Sequence, residues 1–372
     1  MSRAALCVVV LLCVAAQAGA AGRPDQASLQ EALDAVVAAG APGAVLLVRD
    51  GSRTIRLASG YSVLAGHVRA RPDDRFRIGS VTKTFLATVV LQLVGEGKLR
   101  LADSVEDVLP GKLRGGAGIT VLQLLQQTSG LYDYLADQRI FRPYVNGNRG
   151  FVWTPSRLLA IANEHKPRFP PGTRWEYSNT NYLVLGLIVE AVTGNALGTE
   201  LTRRVFERAG LHATTFDTRP TIAGRHMHGY LPLDKRLTDV SVVSPSAGWA
   251  AGAIVSTTDD VARFYRALLG GRLLRPDLLR RMEATVPMGV PANAYGLGIW
   301  RTATMALSNT PFPCGAAWGH NGGWVGYDTN AFNSKDAKRQ FVLFVNLDES
   351  AFQPATRDAI FAVGSKAYCG AG

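Results

Sequence analysis

Cysteine is scarce in this 372-residue chain, and its placement excludes several chemistries at once. Of four cysteines, Cys7 and Cys13 fall in an apolar N-terminal run, which leaves Cys314 and Cys369 beyond it. Neither has a neighbouring histidine or a Cys-x-x-Cys partner, so thiol catalysis, redox cycling and cysteine-bound zinc are disfavoured. A single disulfide tying the C-terminal tail to the last strand region is the natural reading in an oxidising compartment. The chain also lacks low-complexity tracts, a collagen-like period and any repeat at solenoid spacing, so it reads as an ordinary folded globular protein. Basic residues outnumber acidic ones by 40 to 29, a net charge of +11, yet they form no run and no aromatic-interleaved patch. A nucleic-acid partner is therefore not expected; anionic envelope polymers suit the charge better.

Other motifs are missing as well. No serine sits in a G-x-S-x-G context, which excludes the elbow of an α/β-hydrolase. No H-E-x-x-H occurs, and His226-Met227-His228 lacks a following Asp-His pair, so it reads as polar residues on a loop or edge strand rather than a zinc site.

What is present begins with Met1-Ser2-Arg3, an apolar stretch from Ala4 to Ala16, and Ala18-Gly19-Ala20. One positive charge, a short hydrophobic core and an A-x-A site are the marks of a cleaved secretory signal, and the run is short for a membrane span. Residues 1–20 are thus expected to be a signal peptide and the mature chain to be periplasmic or secreted, without a stable membrane anchor.

Residues 21–372 read as one unit in two interlocked parts. Near the N-terminus, Asp25 to Ala39 is helix-like, and Gly43 to Arg49 and Thr54 to Ser59 form β-rich runs joined by Asp50-Gly51, a hairpin signal. Near the C-terminus, Trp318 to Phe332 and Gln340 to Asn346 are strand-like around a polar turn, and Thr356 to Tyr368 predicts a closing helix. Between them lie helices: Phe85 to Val94, Val121 to Gln127 capped by Thr120, Asn181 to Val192, and one opened by Thr257 and Asp260. The fold class is α/β: a sheet with strands from both chain ends (about 21–84 and 245–372), a mostly helical insertion (about 85–244), and a crevice at their junction.

Three short motifs fall where that crevice would be. Ser80-Val81-Thr82-Lys83 opens a helix, so the two polar side chains share a face. Serine needs a base to become a nucleophile, and lysine serves only when burial or a nearby cation destabilises its ammonium. The helix N-terminus adds backbone N–H groups for an oxyanion. Tyr177-Ser178-Asn179 follows the Pro170-Pro171-Gly172 turn and supplies a phenol and an amide. Gly319-His320-Asn321-Gly322-Gly323 sits in the last strand region, where glycines let a substrate backbone approach. Alone, each motif is more often a capped helix or a structural histidine.

In this order and context the three resemble those of the serine β-lactamase and penicillin-recognising enzymes, across essentially the whole mature chain. Phe76 to Phe85, Ser129-Gly-Leu-Tyr-Asp-Tyr134, Tyr295-Gly-Leu-Gly298 and Ser334 to Arg339 are similar too, most of all to the secreted D-alanyl-D-alanine carboxypeptidases, whose disulfide the Cys314 and Cys369 pair resembles. The resemblance implies the β-lactamase/transpeptidase-like fold, an antiparallel sheet flanked by helices. It implies an acyl-Ser80 intermediate, with Lys83 and Tyr177 shuttling the proton, and Asn179 holding the substrate amide. Backbone N–H groups of Ser80 and Gly323 would form the oxyanion hole, and His320, Asn321, Gly322 and Trp300 would line the substrate wall. No metal or other cofactor is required. The expected partner is a small-molecule or peptide substrate (a D-alanyl peptide, β-lactam or ester), met by a monomer. The expected function is that of a D-alanyl-D-alanine carboxypeptidase-like peptidase of the cell envelope that also binds β-lactams; the alternatives are a carboxylesterase or class C-like β-lactamase, or a penicillin-binding module without turnover.

Three positions depart from that pattern. Where the carboxypeptidases grip a terminal carboxylate with an arginine and two threonines, this chain has Trp300, Asn321 and Gly323. Arg301 is adjacent to Trp300, but neighbouring residues of a strand face opposite sides unless the strand bulges. Trp300 would present an apolar wall, better matched to an ester's acyl or alcohol part than to a free carboxylate.

Overall fold

The computed structural model describes residues 25–234, 236–290, 292–303 and 312–370. The proposed signal peptide lies outside these residues. Nine strands form one sheet: β1 (Gly43–Asp50), β2 (Arg53–Val63), β3 (Val68–Arg69), β4 (Val286–Pro287), β5 (Ala294–Tyr295), β6 (Trp300–Thr302), β7 (Ala317–Trp324), β8 (Tyr327–Asn333) and β9 (Arg339–Val345). They run in the order β3-β2-β1-β9-β8-β7-β6-β5-β4 with antiparallel pairing throughout. Strand β1 from the N-terminal end pairs with β9 from the C-terminal end, Ala44 opposite Val345. The expected sheet built from both termini is therefore present.

Alternation along β1 explains why this run is apolar at successive positions. Val45 and Leu47 enter one core cluster, and Ala44, Leu46 and Val48 enter another on the opposite face. The second face is covered by α1 (Gln26–Ala38), with Asp25 accepting from the Ser28 N–H as its cap, and by the closing helix α5 (Pro354–Cys369). Over the first face lie α2 (Thr82–Gly95), α3 (Asn179–Thr193) and α4 (Thr258–Leu269). Helix α2 is buried all round from Thr82 to Leu93, in keeping with a run that is apolar on nearly every side from Phe85 onward. Phe85 stacks on Phe264 of α4 with ring centroids 3.6 Å apart.

Two expectations are corrected here. The strand-like run from Trp318 to Phe332 is two strands, because Val325-Gly326 turns the chain back, Gly326 adopting φ +84°. The central insertion also carries strands: Thr215–Phe216 joins Phe76–Arg77 and Ile254–Ser256 in a small sheet, and Tyr230–Leu233 pairs with Arg236–Asp239. His226 and His228 lie outside all named strands, their rings stacked at 5.0 Å, with His228 Nδ1 2.6 Å from Asp239.

The inferred disulfide joins Cys314, just before β7, to Cys369, the last residue of α5. No single helix among the described residues is long and apolar enough to cross a membrane.

Candidate active site

Ser80 occupies a 3-10 turn, Gly79–Val81, that runs into α2. The turn is pressed against β7. Gly79 takes φ +50°, and a Cβ there would come within 2.5 Å of the Gly323 carbonyl oxygen. Reciprocally, a Cβ on Gly322 would lie 2.1 Å from the Ile78 carbonyl oxygen and 2.8 Å from the Ser80 nitrogen. Only glycine lets this strand pass so near the nucleophile, and the expected closeness of the two motifs follows.

Lys83 is fully buried, with its Nζ 2.8 Å from Ser80 Oγ, 2.8 Å from Asn179 Oδ1 and 3.0 Å from the Ala251 carbonyl oxygen. Burial lowers its pKa to about 7, with the Asp133 charge acting in the opposite sense. The partners also fix where its lone pair points. Asn179 Nδ2 donates to Asp133 Oδ2 over 2.9 Å, so Oδ1 must face the lysine. Asn179 Oδ1 and the Ala251 carbonyl can only accept, and they take the two hydrogens of a neutral amine. Its lone pair is left for the Ser80 hydroxyl. Asn179 thus orients the base, and of its two Nδ2 hydrogens only one is given to Asp133, which leaves the other for the substrate amide.

Tyr177 completes the trio. Its ring lies 4.9 Å from Lys83 Nζ. Burial, reinforced by Tyr295, drives the phenol pKa well above its ordinary value, while a hydrogen bond with Ser80 pulls the other way. The phenol is thus a neutral proton donor, not a phenolate.

His320 corrects the sequence expectation most clearly. It is wholly buried, with Nδ1 2.5 Å from the Asn321 carbonyl oxygen and Nε2 3.2 Å from the Tyr295 hydroxyl. The carbonyl can only accept, so Nδ1 carries the hydrogen and Nε2 accepts from Tyr295. Burial, with the Lys83 charge adding to it, lowers the imidazole pKa to about 3. His320 therefore supplies no positive charge to the crevice, both its nitrogens are spoken for, and, contrary to expectation, it does not line the cavity.

The crevice over Ser80 is a cavity of about 300 Å³ whose wall includes Tyr177, Trp300, Asn321, Gly322 and Gly323. Trp300 pairs with Gly319 and Arg301 with Trp318, with no bulge. Arg301 is accordingly exposed, and does not replace the missing carboxylate-binding arginine. The sequence reading missed Asp133, visible only as part of the Ser129–Tyr134 stretch, and three wall residues, Trp175, Met288 and Glu349. No local motif marks those three; they converge from separate parts of the chain.

A family model described as Beta-lactamase matches residues 29–365. The chain belongs to the β-lactamase family. Penicillin-binding protein 4 of Amycolatopsis lactamdurans is 32% identical over 314 residues, 82% of this chain and 76% of that protein. A D-stereospecific amidohydrolase from a Streptomyces species has 37% identity and a TM-score of 0.84, covering 94% of this chain and all of that one. The D-amino acid amidase of Ochrobactrum anthropi SV3, solved with D-phenylalanine, has 26% identity and a TM-score of 0.80 over 91% of this chain and 97% of that one. This β-lactamase-family member is a hydrolase of the penicillin-recognising group, with the fold of that group.

Proposed function

We propose that the chain is an exported serine amidohydrolase that acylates Ser80 with the carbonyl of a D-configured residue. The observation that carries the reading is the buried Lys83 amine, lowered to a pKa of about 7 and held 2.8 Å from Ser80 Oγ. Neutral Lys83 takes the Ser80 proton as Oγ bonds to the substrate carbonyl carbon. Backbone N–H groups of Ser80 and Gly323 receive the oxyanion. As the C–N bond breaks, the Tyr177 phenol gives its proton to the departing nitrogen and recovers one from Lys83. Water then cleaves the acyl ester, releasing the acid and restoring Ser80.

Amidase or aminopeptidase activity on D-amino-acid derivatives is favoured over D-alanyl-D-alanine carboxypeptidase activity, because no cation lines the Ser80 crevice among the described residues. The likeness to the Streptomyces amidohydrolase supports the same choice. Acylation by a β-lactam is the second reading, supported by the likeness to penicillin-binding protein 4. Export rests on the N-terminal residues 1–20. Amino-terminal sequencing of the protein from a culture should start near residue 21.

A side-by-side assay of a D-phenylalanine amide, a D-alanyl-D-alanine peptide, a p-nitrophenyl ester and penicillin tests the proposal. We expect ammonia release from the amide, a Ser80 adduct by mass spectrometry, and loss of both in Ser80→Ala by at least a thousandfold, on the scale of removing a catalytic nucleophile. Undiminished turnover in Ser80→Ala would end the mechanism, and D-alanine release outpacing amide hydrolysis would restore the carboxypeptidase.

A further inference from the structure

The crevice has a charge asymmetry that the acyl-serine chemistry does not use. Glu349 follows β9 in the 3-10 turn Glu349–Ala351 and lines the Ser80 cavity. It also lines a neighbouring cavity of about 500 Å³ with Leu135, Phe141 and Trp324, so its carboxylate stands on the wall the two share with Gly323. Its Oε2 is 3.8 Å from the point a Cβ on Gly323 would occupy. The turn is held in place: Asp348 accepts from the Gly326 N–H at 3.0 Å and from the Ser350 N–H at 3.0 Å. Glu349 has no such engagement, making no side-chain hydrogen bond or ion pair among the described residues.

The charged groups near it leave it unbalanced. Asp348 carries like charge, and buried Asp328 is pushed well above the usual carboxylate range by burial, by Glu349 and by Asp348. Burial, reinforced by Asp348, raises the Glu349 pKa above the usual carboxylate range, while exposed Arg357, which lines the larger cavity, acts in the opposite sense from a distance and without an ion pair. On the Ser80 side, His320 is neutral and Arg301 faces away. A half-buried carboxylate without a cation is costly, and a substrate cation would offset that cost.

We propose that Glu349 anchors an ammonium group of the substrate, so that the compounds acylating Ser80 are D-aminoacyl amides or short peptides with a free α-amine. This rests on the acyl-Ser80 reading and deepens it. The same carboxylate repels a free terminal carboxylate at that wall.

The test compares D-phenylalanine p-nitroanilide with 3-phenylpropionic p-nitroanilide, which has the same side chain and no amine, on the purified mature chain. Wild type should favour the amine by tenfold or more in kcat/KM. In Glu349→Gln the ratio should fall about ten- to a hundredfold, mostly through KM, as expected for losing one hydrogen bond to a charged group. Glu349→Asp should recover part of it. An unchanged ratio in Glu349→Gln, or a wild type indifferent to the amine, overturns the anchor, and the wild-type comparison decides even if the variants misfold. A p-nitrophenyl acetate reaction followed by mass spectrometry separates the two readings. A Ser80 adduct with no amine preference fells the anchor alone, and no Ser80 adduct from any donor fells both.

Discussion

Lys83 shows how neighbours turn an ordinary side chain into a base. Burial lowers its pKa to about 7, and Asp133 holds it from falling further. Acylation needs the neutral amine, so kcat/KM should rise with pH through an ionisation near pH 7, read from a pH–rate profile. Removing the Asp133 charge removes an influence that raises the Lys83 pKa, so Asp133→Asn should move that acid limb to lower pH. The same change frees the Asn179 amide to rotate, since a second amide cannot dictate its orientation as a carboxylate does. The plateau rate should therefore fall, by about tenfold or more for a misdirected base. A limb that stays put would dissociate Asp133 from Lys83. His320, its pKa lowered to about 3 by burial, should contribute no ionisation to the profile near neutral pH.

At the scale of elements, the site is a seam between the Ser80 turn and β7. Their separation is set by Gly79 and Gly322, which have no room for a side chain. Gly322→Ala would force the strand off the turn, because the obstructing atoms are backbone. It should cost several kcal/mol by thermal or denaturant unfolding, of the order of overpacking a core, and abolish Ser80 acylation. Gly323→Ala is the control: its Cβ would meet nothing nearer than 3.8 Å, so stability should change by no more than about 0.5 kcal/mol. Equal melting temperatures for the two variants would refute the seam. The sequence announced these elements well where capping was local, as at Asp25, Thr120 and Thr257. It failed at Val325-Gly326, where apolar residues continue across the turn and periodicity carries no break.

The whole molecule is closed by contacts between its ends: β1 pairs with β9, α1 and α5 pack on the same face, and a disulfide fastens α5 to the approach to β7. The bridge closes a loop with a sequence separation of 55, which in the chain-entropy account constrains the unfolded chain by about 4 kcal/mol. Replacing both cysteines by serine should lower the melting temperature by several degrees while leaving Ser80 acylation detectable at low temperature. A melting curve that is the same with and without reductant would refute that contribution.

The sequence by itself determined the fold class, the joining of both chain ends in one sheet, and the grouping of Ser80, Lys83 and Tyr177. These depend on local periodicity, caps and motif order, all of which are written along the chain. Only tertiary structure decided what the polar groups do. Asn179 became an orienter of Lys83 because Asp133, distant in sequence, faces its amide. His320 became a neutral buried residue behind the crevice because burial disfavours its charge and Tyr295 and Asn321 occupy its nitrogens. Glu349 reached the crevice only through the turn after β9. Charge state and hydrogen-bond direction depend on which groups meet in space and how much water is excluded, and neither is encoded in spacing.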